Sequence, residues 1–270
     1  MGLRAARVLP LALLVASATL GTPAAAQSAP PTPTATAAAT ATPTDPFRDR
    51  EDRMAVLVGR ARAANGLLPL ARSPELDRAA LDHAQDMAAQ GYMEHEAPDG
   101  STPGSRARRQ GYGAPPGSGW MAIETISAIS DAPEGALGWW LGDGVHRRVV
   151  LRATWRELGI AYVAGGPYGR FWVALFGCRP NVLPPVLLDG VLSIPDETCD
   201  HADGVFGAVQ SIRVGDKGDT ARAAGWEAYA PQRPWPAGRP ATILYQDAGG
   251  HQLEARAADP TGAAAEPAGN

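Results

Sequence analysis

Cysteine is scarce in this chain, with Cys178 and Cys199 the whole complement of 270 residues. Neither lies near the small-residue run Ala24-Ala25-Ala26 where cleavage is expected, so lipid attachment to an N-terminal cysteine is not expected, and neither carries a catalytic motif around it. Basic charge is also short: 24 Lys and Arg stand against 28 Asp and Glu, giving a net charge of −4 and a pI near 5.7. That balance argues against a general binder of nucleic acid or anionic membrane. The small clusters Arg106-Ala-Arg108-Arg109 and Arg147-Arg148 read as solvated helix faces rather than phosphate sites. HExxH and Gly-x-Ser-x-Gly are both missing, so neither a zincin helix nor a nucleophile elbow is expected. No apolar run reaches the roughly 20 residues that span a bilayer, so no transmembrane anchor is expected.

The chain does carry an export signature. Arg4 and Arg7 make a positive start, Val8 to Leu20 is an apolar stretch interrupted by Pro10, and Ala24-Ala25-Ala26 offers small residues for cleavage. Residues 1–26 therefore read as a signal peptide, and the mature protein is expected outside the cell or on the envelope exterior. Residues 27–47, nearly all Ala, Pro and Thr, lack the apolar bulk to offset their ordering entropy and read as a disordered linker. In an exported protein an even pair of cysteines favours a Cys178–Cys199 disulfide, with two unrelated buried thiols as the alternative. Such a loop would contribute roughly 3 kcal/mol in the chain-entropy picture.

Periodicity then organises the middle of the chain. Residues 48–64 read as a helix stopped by Asn65-Gly66. Ser73 and Pro74 start a second helix, with Leu76, Ala80, Ala84, Met87 and Ala88 at helical spacing and Gly91 at its end. His83 falls on that stripe and reads as a hydrogen-bonded core histidine. Thr102-Pro103 opens a short helix through Arg109, and Asp131-Ala-Pro-Glu134 has the spacing of a capping box. Leu158–Val163 and Phe171–Phe176 read as a strand pair around Gly165–Gly169. Helices first and strands later point to an α+β fold, not a parallel βαβ array.

Four phrases carry the candidate chemistry: His95-Glu-Ala-Pro-Asp-Gly100, Met121-Ala-Ile-Glu124-Thr, Asp143-Gly-Val-His146-Arg and Trp155-Arg-Glu157-Leu-Gly-Ile-Ala. Taken with Gly66-Leu-Leu-Pro-Leu70, Ala84-Gln-Asp-Met-Ala88, Thr102-Pro103 and Gln110-Gly-Tyr112, they resemble the bacterial branch of the CAP superfamily in order and spacing. That superfamily, also called SCP-like, groups cysteine-rich secretory, antigen 5 and pathogenesis-related proteins. The resemblance implies an α-β-α sandwich over residues 48–179. It also implies a ligand cleft formed by His95, Glu124, His146 and Glu157, with His95 and His146 as ligands of a divalent metal such as zinc. Glu124 and Glu157 would then orient the imidazoles or hold a bound water. Three positions depart from the family pattern: Ile123-Glu124-Thr125 stands for Gly-Glu-Asn, Gly104 for an apolar residue, and Asp143-Gly144-Val145 for a serine-proline-glycine. Asp143 thereby joins the cleft candidates as a supplementary carboxylate.

Beyond Pro180–Pro185 the chain changes character. Val205–Val214 and Thr242–Gln246 are β-like, and Asp247–Gly250 has hairpin-turn chemistry. Leu244-Tyr-Gln-Asp-Ala-Gly-Gly250, with Trp226 and Trp235, resembles immunoglobulin-like modules of bacterial surface proteins. Residues 186–258 are therefore expected to form a small all-β sandwich. His201 and His251 fall on turns, and residues 259–270 read as a disordered tail. The expected function is binding of a metal, a small or lipid-like ligand or an envelope component, without established turnover. A metal-assisted hydrolase of peptide or cell-wall material is the alternative. A further one is an adhesion or scaffold protein whose β-module contacts a protein partner.

Overall fold

The computed structural model describes residues 48–113, 119–197, 199 and 206–262. The expected signal peptide, the whole of the linker, His201 and most of the tail lie outside the described residues.

The first part is a three-layer sandwich. Helix α1 (Arg48–Ala63) leads through the short strand β1 (Ala71–Arg72) into α2 (Pro74–Gln90) and α3 (Pro103–Arg109). Strand β2 (Met121–Ser127) follows, then α4 (Pro133–Gly142), α5 (Gly144–Val150), β3 (Glu157–Ala164) and β4 (Arg170–Cys178). The sheet runs in the order β1-β3-β4-β2, with only the β1–β3 pair parallel. One face packs Met54 and Val58 of α1, Ala136 and Trp140 of α4, and Val150 of α5 against Trp172, Ala174 and Phe176. The other face packs Leu76, Ala80, Ala84 and Met87 of α2 and Ala107 of α3 against Phe171, Val173 and Leu175. Alternate residues of one strand thus feed two separate cores, as the pleat requires.

Local chemistry explains the helix ends. Ser73 caps α2 by accepting from the Leu76 N–H, and Gly91 closes it at φ 77°, in the left-handed region where a side chain is strained. Thr102 and Ser105 form the capping box of α3. The expected box at Asp131–Glu134 does not form, because Ala132 is the N-cap and no side chain caps α4. Asp131 instead accepts from the Tyr162 hydroxyl and pairs with Arg170. Gly159, inside the Glu157-Leu-Gly-Ile-Ala phrase, has a packing role: a Cβ there would sit 2.2 Å from the Leu76 carbonyl carbon. Its absence lets α2 lie directly on β3.

The second part has two small sheets. Strands β5 (Val186–Leu188), β6 (Val191–Ser193), β7 (Val209–Gly215), helix α6 (Gly218–Ala223), β8 (Glu227–Ala228), β9 (Gln232–Pro234), β10 (Thr242–Asp247) and β11 (Gln252–Arg256) follow in order. They form a four-stranded sheet β11-β10-β7-β8 and a three-stranded sheet β5-β6-β9. Leu192 from one and Ile212, Ile243 and Tyr245 from the other share one core. Two sheets share one core, but helix α6 between β7 and β8 departs from the expected all-β layout, and the immunoglobulin likeness rests on the sequence alone. Trp235 packs against this core, but Trp226 lies outside it beneath the Arg213 guanidinium. Cys178 and Cys199 form a disulfide, and Arg60 pairs with Asp189, so the second part is tied to the first. Together they make one compact unit.

Candidate functional site

Glu124 is the centre of the site. Its register partner on β4 is Leu175, so its side chain turns to the α2/α3 face, where it is completely buried. A lone buried carboxylate is strongly disfavoured, and three groups answer it. Arg106 of α3 donates from Nη2 to Oε2 at 2.9 Å. His95 Nδ1 lies 3.0 Å from Oε1, and His83 Nε2 lies 3.6 Å from the same oxygen. Arg106 also donates to the His95 carbonyl at 3.0 Å and the Ser101 carbonyl at 2.8 Å, which pins the loop carrying His95. The solvated-face reading of Arg106 is thus corrected: it is 3% exposed because α3 turns it inward onto Glu124.

This geometry fixes the His95 ring. A carboxylate only accepts, so the bond to Glu124 places a proton on Nδ1, and the neutral form of the imidazole then carries its lone pair on Nε2. The side chain is half exposed. Around it lies a cleft of about 460 Å³ lined by His95, Thr102, Pro103, Gly104, Ala122, Ile123 and Glu124. His83, fully buried on α2, bonds the Glu94 carbonyl through Nε2 at 2.9 Å. Burial holds its pKa below the usual imidazole value, against the pull of Glu124.

The other predicted residues form two further groups. Glu157 accepts from the Tyr112 hydroxyl at 2.9 Å and receives Arg179 through both Nε and Nη2. Arg179 lies over the Tyr112 ring, and a Cβ at Gly177 would collide with the Tyr112 hydroxyl at 2.3 Å. Burial, then the Glu157 charge, raise the Tyr112 pKa, so the phenol stays a donor. Both Glu157 oxygens are therefore occupied by a bidentate arginine and a tyrosine. His146 sits at the start of α5, its Nδ1 2.6 Å from Asp143 Oδ1 and its ring 4.5 Å from that of Trp139. Asp143 also caps α5 through the Val145 and His146 N–H groups; these amides and the imidazole lower its pKa. Helix α5 belongs to the α1/α4 face of the sheet through Val150. His95 and Glu124 are thus brought together, whereas neither Glu157 nor His146 lines their cleft.

Residues 57–176 match the family described as CAP, the cysteine-rich secretory protein family. That segment is a CAP domain. The Bacillus subtilis protein named "Uncharacterized protein YkwD" is 27% identical over 116 residues, which are 43% of each chain. The chain thus spans under half the length of that relative. Among solved structures, an extracellular SCP-domain protein from Bacillus anthracis is 26% identical, with a TM-score of 0.41, over 47% of this chain and 40% of that one. An outer surface protein from Borrelia burgdorferi is 16% identical, with a TM-score of 0.43, over 48% of this chain and 93% of that one.

Zinc sites take three or four nitrogen, sulfur or oxygen donors from the protein. Among the described residues of this CAP domain, no three His, Cys, Asp or Glu side chains come close enough to hold a metal ion. In the cleft, His95 Nε2 is one oriented donor, and Glu124 already faces a guanidinium. The donor set therefore does not fit a resident metal. The sequence reading missed Arg106, Tyr112 and Arg179. The only sequence signal for them was position: Arg106 one turn into α3, Tyr112 in Gln110-Gly-Tyr, and Arg179 just past β4.

Proposed function

We propose that the protein is an extracellular binding protein whose CAP domain receives a small ligand in the cleft beside His95. The ligand presents a hydrogen-bond donor to His95 Nε2 and an apolar body to Pro103, Ala122 and Ile123. One observation carries this reading: Glu124 holds Nδ1 of a half-exposed imidazole, and that imidazole lines a cleft shared with Pro103, Ala122 and Ile123. Catalytic turnover is not part of the proposal, because Glu157, the second carboxylate a hydrolase would use as base, is held by Arg179 and Tyr112. Export is supported by the signal-like residues 1–26 and by the disulfide, which persists in oxidising compartments.

Titration with 1-hexanol, an alcohol donor on an apolar chain, tests the cleft by NMR. The imidazole resonances of His95 and the amides of Ala122 and Ile123 should shift together, and His95→Ala should weaken the effect. Unchanged binding in His95→Ala, or shifts located elsewhere, refutes the reading. Zinc sulfate in a parallel titration should bind no more tightly than it binds a single exposed histidine. Mass spectrometry of protein recovered from the medium should find cleavage after Ala26.

A further inference from the structure

The two edges of the CAP-domain sheet are treated differently. Along β3 the outward groups are covered: β1 pairs with its start, Asp77 accepts from the Ile160 N–H, and Glu51 accepts from the Tyr162 N–H, both at 2.8 Å. Along β2, among the described residues, the only outward group so covered is the Ile126 carbonyl, which accepts from the Trp140 indole at 3.1 Å. Outward groups alternate along an antiparallel strand, so Ala122 and Glu124 face the same way as Ile126. Among the described residues, nothing bonds the main-chain N–H or C=O of Ala122 or Glu124. The Glu124 side chain is wholly buried while the residue keeps 5% exposure, so its main chain is what solvent reaches. The His95 cleft runs beside these two residues.

We propose that this cleft takes an extended peptide segment, which adds to β2 as a fifth strand through the N–H and C=O groups of Ala122 and Glu124. The inference rests on the binding role given to the cleft and names the ligand class. Among the described residues this stretch of the edge is unpaired, such an edge is a template for another strand, and β2 has no Lys, Pro or bulge to blunt it. The slot is short. The Trp140 indole stops pairing at Ile126, which leaves two residues, about 7 Å of strand, with four main-chain groups to satisfy. His95 and Thr102–Gly104 wall one face. A short linear peptide matches a slot of this length. Side chains of the added strand alternate between the His95 and Pro103 wall and the exposed Ile123. A donor residue flanked by apolar ones therefore suits it.

The test uses the full chain and a blocked pentapeptide of alternating threonine and valine, with a twin N-methylated at every amide. The unmethylated peptide should shift the Ala122 and Glu124 amides and protect them from exchange. The twin should bind about 25-fold more weakly, the loss expected for two hydrogen bonds. Ala122→Pro removes an outward N–H without cutting the pairing to β4 and should weaken the unmethylated peptide about fivefold. The comparison of the two peptides on unaltered protein stands even if that variant folds poorly. Equal binding of the twins overturns the proposal, as does a dimer, measured by sedimentation, that protects the Ala122 amide without peptide. If hexanol shifts His95 while the peptide binds nowhere, the peptide assignment falls and the small-ligand reading stands. If neither ligand binds, both fall.

Discussion

Replacing Arg106 with methionine keeps the volume of the stem but removes the guanidinium that faces Glu124. Arg106 is 3% exposed and the Glu124 side chain is wholly buried, so water cannot easily take its place. Breaking such a pair on one side leaves an uncompensated buried charge, at a cost of about 3–5 kcal/mol. The carbonyls of His95 and Ser101 also lose their donor, which places the expected loss at the upper end of that range. Against a typical domain stability of about 5–15 kcal/mol this is a large fraction, and Tm should fall by roughly 10 °C or more. Urea unfolding of Arg106→Met, Glu124→Met and the double variant measures it. The double variant should be more stable than the two single losses together imply, because it buries no lone charge. A loss below about 1 kcal/mol in Arg106→Met, with additivity in the double variant, would refute the claim that this ion pair holds the site together.

Three other outcomes follow from the same structure. Gly159→Ala puts a methyl group against the Leu76 backbone, and overpacking against main chain should destabilise the domain by at least about 3 kcal/mol in the same assay. Reducing the Cys178–Cys199 disulfide, which closes a separation of 21 residues, should lower stability by about 3 kcal/mol, read as the difference between urea curves with and without reductant. For His83, burial depresses the folded pKa below its unfolded value near 6.5. Its contribution is therefore fully present above pH 6.5 and declines as the solution is acidified through that value toward the folded pKa. His83→Gln, which still offers a donor to the Glu94 carbonyl, should show a flatter stability profile over that interval. An identical profile would contradict the buried neutral histidine.

Much of the CAP-domain fold was legible because it rests on short-range signals. Ser73-Pro74 and Gly91 mark the ends of α2, and the apolar run 171–176 marks a strand buried on both sides. Helix α5 was missed because Asp143-Gly-Val looks like a turn until the aspartate is seen capping the amides that follow it. The edge strand β2 escaped because Met121-Ala-Ile-Glu-Thr-Ile-Ser127 does not alternate apolar with polar residues, although turn-forming residues flank it in the sequence. The site was legible in part. His95 and Glu124 meet because the loop after α2 folds back onto β2, and the quoted phrases marked both. Nothing in the residue pattern signalled that Arg106 is buried, since one inward-facing arginine beside Arg108 and Arg109 looks like any basic helix face. Nor could spacing reveal that Glu157 faces Arg179, a contact made between the start of β3 and the residue just past the end of the neighbouring β4. In the second part, β5, β6, β8 and β9 are two or three residues long, too short for a period-2 pattern to register.

The tautomer of His95 tests the central claim most directly. Long-range nitrogen–proton NMR at neutral pH should show the proton on Nδ1 and a bare Nε2, with Glu124→Gln releasing that preference. A His95 ring protonated on Nε2 in the unaltered protein would mean that Glu124 does not hold it, and that the cleft presents no oriented lone pair to a ligand.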